Sequence, residues 1–91
     1  MTKQTATYVA KAQPDPSGGY TVTFPDIPGC LTEGDTLKEA KRMAKDALSL
    51  YLHSLLSDGK SLPAAEYRLR SDLKKVRQFS VTVELSDLVR K

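Results

Sequence analysis

The stretch Phe24-Pro25-Asp26-Ile27-Pro28-Gly29-Cys30, continued by Leu31-Thr32-Glu33-Gly34-Asp35-Thr36, decides how this chain folds. Two prolines fix φ and remove two backbone donors, so no ordinary strand runs through them. Ile27, held between them, is restricted to extended geometry by Pro28. Pro28-Gly29 suits the central pair of a type II turn, in which glycine supplies the positive φ. The stretch therefore ends one strand, turns, starts another, and delivers the chain to a helix after Glu33–Thr36.

Upstream of this corner, Ala6 to Gln13 alternates, with Ala6, Tyr8, Ala10 and Ala12 on one side and Thr7, Val9, Lys11 and Gln13 on the other. That periodicity predicts a strand. Pro14-Asp15-Pro16-Ser17-Gly18-Gly19 is a dense turn cluster that closes a hairpin. Tyr20 to Phe24 is the second strand and Cys30 to Gly34 a short third one, which makes an antiparallel meander.

Downstream, Thr36-Leu37-Lys38-Glu39 fits a capping box. The Thr36 hydroxyl would accept from the Glu39 amide, and the Glu39 carboxylate would return to the Thr36 amide. Leu37, Ala40, Ala44, Ala47, Leu48, Tyr51 and Leu55 then fall on one helical stripe. Its small alanines let the helix lie close to a sheet. Leu50, Leu52 and Leu56 widen the apolar arc beyond what one sheet would cover, which predicts shielding by later chain, a second subunit or a partner. Asp58-Gly59 ends the helix, with glycine as a left-handed cap and Pro63 beyond. Residues 64–77 read as a short helix or an irregular excursion. Gln78 to Leu85 alternates as a late strand, and Ser86 onward is a helical turn or a linker. The expected fold class is α+β: a three-stranded antiparallel meander, a long helix across one face and a late strand joining the sheet.

Ninety-one residues make one small domain. No apolar run approaches the ~18 residues needed to span a bilayer, and the N-terminus has no apolar segment of a secretory signal. A single cysteine, Cys30, cannot staple the fold and fits a reducing cytoplasm. The net charge of +3 is unevenly spread, at −2 over residues 1–35, +1 over 36–59 and +4 over 60–91. An acidic strand region would attract a basic partner.

Tyr20-Thr21-Val22-Thr23-Phe24-Pro25-Asp26-Ile27-Pro28-Gly29-Cys30, then Thr32-Glu33-Gly34-Asp35-Thr36 and Glu39-Ala40, resemble the signature of HicB-type antitoxins. The resemblance runs on through Ala44, Ala47-Leu48, Tyr51-Leu52, Asp58-Gly59 and Leu62-Pro63. It returns more weakly at Phe79-Ser80-Val81-Thr82-Val83. It implies a degenerate, partial ribonuclease H-like fold whose last strand joins the sheet beside the first. It also implies a partner, a HicA-like toxin that cuts mRNA with a catalytic histidine, and inhibition by occlusion. Phe24, Pro25, Pro28, Gly29, Gly34, Thr36, Glu39 and Gly59 are the structural signature. Asp26, Glu33 and Asp35 are the candidate contacts to toxin Lys or Arg, and the wide helix arc predicts a homodimer or higher homo-oligomer.

The residues themselves offer no enzyme. A metal-dependent nuclease of this shape needs converging carboxylates, one of them inside the first strand, and Ala6–Gln13 contains no acid. Asp15 and Asp26 sit in proline-flanked turns, and Asp35 precedes a helix, all places where Asp is favoured for local bonding. His53, on the polar helix face, has no triad or metal spacing around it. Cys30 reads as a small strand-start hydrophobe. No cofactor or metal is expected. In the resembled family a DNA-binding module commonly follows the last strand. Here six residues follow Leu85, too few for a recognition helix and its support. The expectation is one HicB-like domain over 1–91, stand-alone or cut before such a module. The alternatives are an operator-binding regulator acting through the basic last third, an orphan HicB-like interaction module, and an orphan ribonuclease.

Overall fold

In the computed structural model, which describes residues 5–70 and 76–84, the proline corner is two turns in series. The Ile27 N–H donates to the Phe24 carbonyl at 3.0 Å, and the Cys30 N–H to the Ile27 carbonyl at 3.1 Å. Each turn carries proline at its second position, where a fixed φ is suited to the turn. Gly29 completes the second turn at φ +93°, which is the type II requirement.

Around this corner the chain forms β1 (Thr5–Pro14), β2 (Tyr20–Thr23), β3 (Leu31–Gly34), α1 (Leu37–Ser57) and β4 (Arg77–Glu84). All neighbouring strands are antiparallel, in the order β3-β2-β1-β4. The α+β expectation holds, and the last strand lies beside the first. β2 pairs only with Lys11–Pro14 of β1, whereas β4 pairs with Thr5–Ala12. The reason is Pro25, which ends the β2 ladder just past Thr23 and leaves the first half of β1 with no described strand on that side.

The register separates the two faces. Ala6, Tyr8, Ala10 and Ala12 of β1 share the helix side with Val81, Phe79 and Val83 of β4 and with Val22 of β2. The core consists of Tyr8, Ala10, Ala12, Val22, Phe24, Ile27, Cys30, Val81 and Val83 against Ala40, Ala44, Leu48 and Leu52. Alanines on both layers bring helix and sheet close together. Gly34 carries this furthest: a Cβ added there would lie 2.6 Å from the Ala40 nitrogen and 2.8 Å from its Cα.

Thr36 caps α1 as expected, its hydroxyl accepting from the Glu39 N–H at 3.1 Å. The other half of the capping box differs. The Glu39 carboxylate takes the Asp35 N–H, at 2.6 Å, and not the Thr36 N–H. The bend at residues 35–36 turns the Asp35 amide over the first helical turn, so the carboxylate reaches one residue further back. At the other end the Gly59 N–H donates to Leu56 and the Lys60 N–H to Leu55, a Schellman closure with Gly59 at φ +74°.

The structure decides between alternatives at two places. Of the leucines expected to need shielding beyond the sheet, Leu52 is fully buried in the chain's own core. Leu56 is half-buried, and only Leu50 of the three stands well exposed, at 71%. The sheet, the corner and the segment after the helix cover more of α1 than a flat three-stranded meander would. Of residues 64–77, expected as a short helix or an irregular excursion, the described 64–70 take the irregular form and, with 61–63, run as a strap. Their polar groups are taken by side chains from elsewhere. The Tyr8 hydroxyl donates to the Pro63 carbonyl at 2.6 Å, and the Tyr67 N–H donates to both Asp26 carboxylate oxygens, at 2.9 and 3.2 Å. Gln78 mimics a strand partner, accepting from the Arg70 N–H at 2.9 Å and donating to its carbonyl at 2.7 Å.

Gln78 and Lys11 face away from the helix, and the Lys11 Nζ lies 5.5 Å from the centre of the Tyr67 ring. The strap therefore rounds the corner at Asp26 and crosses the outer face of the sheet. Val9, also on that face, is buried. Replacing Asp26 with Ala should lower stability by about 1–2 kcal/mol, because it leaves the part-buried Tyr67 N–H without its acceptor. Faster hydrogen exchange at that amide is the accompanying readout, and unchanged exchange would refute the fastening role. The expected late-strand residue Leu85 and the Ser86 turn lie outside the described residues.

Candidate functional site

The carboxylates singled out in the sequence do not share one place. Asp26 is half-buried and engaged by the strap. It also faces Tyr8, whose phenol is pushed up, first by burial and then by the Asp26 charge. Glu33 and Asp35, both exposed, stand at the far end of the edge strand β3. There the fold brings them together with Asp15 and Glu39 around a surface hollow of about 310 Å³, which Ser17, Tyr20 and Met43 also line.

Local bonding orders this acidic end. The Ser17 N–H and hydroxyl both donate to Asp15 Oδ1, at 2.9 and 2.6 Å, and hold that carboxyl below its usual range. Glu39 is tied to the Asp35 amide and lies 3.8 Å from Arg42. Glu33 pairs in register with Thr21 on the outer face, away from α1. Leu31, two residues earlier on the same strand, shares that face and is 63% exposed. The site thus has an apolar knob beside a cluster of acids, on a strand whose outer edge no described strand pairs.

Sequence reasoning missed Leu31 and the convergence of Asp15 and Glu39 with Glu33. The signal for Leu31 was present. In a strand that places Gly34 against the helix, Thr32 points inward and Leu31 outward. Asp15 and Glu39 had no such signal, because only the closed hairpin and the docked helix bring them to one place.

The other candidates, Cys30 and His53, do not line this hollow. Cys30 is buried, and burial pushes its thiol up, which keeps it protonated. His53 is exposed on α1. Among the described residues no three His, Cys, Asp or Glu side chains come together to hold a metal ion. No helix of the described residues is long and apolar enough to cross a membrane. Of the signature residues, Phe24 is core, Pro25, Pro28 and Gly29 build the corner, Gly34 sits beneath the helix, and Thr36, Glu39 and Gly59 terminate it.

Comparison with known proteins agrees with this arrangement. Residues 8–90 match the profile of the family described as HicB-like antitoxin of bacterial toxin–antitoxin systems. A 14.9 kDa protein of Haemophilus phage HP1 is 38% identical over 77 residues, covering 80% of this chain and 58% of that one. The antitoxin HicB 1 of Photorhabdus laumondii is 45% identical over 56 residues, covering 62% of this chain and 36% of that one. The chain thus spans less than two thirds of the length of these curated relatives. A chain from a toxin–antitoxin complex of Streptococcus pneumoniae superposes with a TM-score of 0.76 at 23% identity, over 92% of this chain and 72% of that one, and so has the same fold. Matched over almost its whole described length, the chain belongs to the HicB-like antitoxin family of bacterial toxin–antitoxin systems.

Proposed function

We propose that this chain is an antitoxin that acts without chemistry of its own, by binding a HicA-like, mRNA-cleaving toxin in the cytoplasm and occluding its RNA-binding face. The observation that carries this reading is the acidic end of the sheet, where Glu33 and Asp35 stand exposed beside Leu31 in a chain of this family. A ribonuclease toxin presents Lys and Arg to the RNA backbone. A surface that offers carboxylates at the end of a rigid strand competes for those groups and steers association. Leu31 supplies exposed apolar surface among them, of the kind the centre of an interface buries. Asp26, the third candidate, is assigned to holding the strap. With the strap across β1, docking is directed to the β3 side of the outer face.

Co-expression of the tagged chain with a cognate HicA-like toxin tests this reading. The toxin should co-purify, and its cleavage of mRNA should stop. Reversing both charges, Glu33→Lys with Asp35→Lys, should weaken the complex at least tenfold, on the order of 1.4 kcal/mol. The loss should fall mainly on the association rate and should shrink at high salt. Failure to capture the toxin, or RNA cleavage by the chain alone, would overturn the reading.

A further inference from the structure

The two edges of the sheet have opposite charges beside them, acids at β3 and two α1 lysines at β4, whose own Arg77 and Glu84 balance. β3, with Glu33 and Asp35 at its end, is four residues long. β4 is eight residues long, pairs with β1 in unbroken register, and contains neither proline nor glycine. Its other side is a sheet edge to which no described strand is paired. On an antiparallel edge strand, alternate N–H and C=O groups point away from the sheet and can receive another strand. Folded proteins usually block such an edge with a bulge, a proline or a covering element. β4 has neither a bulge nor a proline.

What stands beside this edge is a pair of cations. Lys41 and Lys45, one helical turn apart on α1 and both exposed, border a hollow of about 360 Å³ with Phe79, Ser80, Val81 and Thr82. The Lys41 Nζ lies 5.6 Å from the centre of the half-buried Phe79 ring. The arrangement combines a ladder of backbone groups, an aromatic side chain and two ammonium groups along one line. We propose that the β4 edge receives an extended acidic segment of another polypeptide as a fifth strand, with Lys41 and Lys45 pairing its carboxylates.

Charge selects this occupant over the others. A second copy joined edge to edge about a two-fold axis normal to the sheet would place both helices on one face. The lysines of one copy would then face those of its mate, and like charges oppose that pairing. A basic toxin is repelled by the same lysines, which leaves it the β3 end. Nucleic acid would meet the charge but has no strand to complete the backbone ladder, whereas an acidic peptide satisfies both. The proposal is thus independent of toxin binding.

The probe is a fluorescein-labelled octapeptide of alternating valine and glutamate, titrated with the full chain and followed by anisotropy. It should bind saturably, and Lys41→Glu with Lys45→Glu should weaken binding at least tenfold while leaving circular dichroism and toxin capture unchanged. A valine–lysine octapeptide should not bind. The valine–glutamate peptide methylated on every backbone nitrogen should lose binding, because it keeps its charge but has no N–H left on either edge to form the ladder. No binding of the first peptide, equal binding of the lysine peptide, or indifference to N-methylation would overturn the proposal. So would a dimer of the chain alone in sedimentation that excludes the peptide, since the occupant would then be a second copy. Glu33→Lys with Asp35→Lys should keep peptide binding, so failure at one edge is distinguishable from failure at the other.

Discussion

Replacing Gly34 with Ala should cost about 3 kcal/mol, the upper range for overpacking a closely fitted site, and Gly34→Val should yield no soluble folded protein. The added Cβ would lie 2.6 and 2.8 Å from the backbone nitrogen and Cα of Ala40, and 3.0 Å from the carbonyl carbon of Glu39. None of these atoms can rotate away as a flexible side chain would. Relief requires α1 to lift from β3 just where Thr36 and Glu39 cap it. For a domain of this size, whose total stability is of order 5–15 kcal/mol, that is a large fraction. Gly59 is the control. It sits at φ +74° with nothing within 4 Å of an added Cβ. Gly59→Ala should therefore cost only the left-handed backbone, about 1 kcal/mol. Urea unfolding with an unchanged slope measures both. A Gly34→Ala protein as stable as the parent would show that the helix does not lie this close. Because Gly34 follows Glu33 and precedes Asp35, the same substitution should also, on the function proposed above, weaken toxin capture under conditions where the chain remains folded.

The second large effect separates two leucines that look alike in the sequence. Leu52→Ala should cost about 3 kcal/mol or more, the lost transfer energy plus the cavity left behind. Leu50→Ala should stay within about 0.5 kcal/mol, as exposed substitutions do. Leu52 has no exposed surface, whereas Leu50 is 71% exposed. Chemical denaturation of the two variants side by side decides it, and equal costs would contradict the packing. The comparison also bears on assembly. With Leu52 inside, the helix has less apolar surface to offer a second copy than its leucine content indicates.

Most of the fold was legible because its signals are local. Pro25, Pro28 and Gly29 act through their own φ angles, Thr36 and Glu39 through a bond three residues long, and Gly59 through a left-handed cap. Alternation in Ala6–Gln13 and Gln78–Leu85 separated the two sides of each strand as the observed register does over the described residues. The resemblance to HicB-type antitoxins, carried by that same local signature, supplied the place of the last strand, which alternation alone does not.

The candidate site was less legible. Asp26, Glu33 and Asp35 are close in sequence and all acidic, yet the strap takes Asp26 through the Tyr67 amide, forty-one residues away. Residues 64–77 have helical composition and left a helix and an irregular excursion both open; the excursion results because Asp26 and Gln78 take the Tyr67 and Arg70 amides that a helical ladder would need. Neither outcome can be read from a window of neighbouring residues, because the competing partners arrive only when the chain has closed.

By itself, the sequence determined the corner, the capped helix, the alternating strands and the excess of acid in the first third, all from torsions, short-range bonds and composition. Only the tertiary structure decided which acids gather at the end of β3, which leucine is core, and where the strap lies. Those depend on which surfaces meet when helix, sheet and strap pack together, and burial and long-range hydrogen bonds are properties of the packed chain.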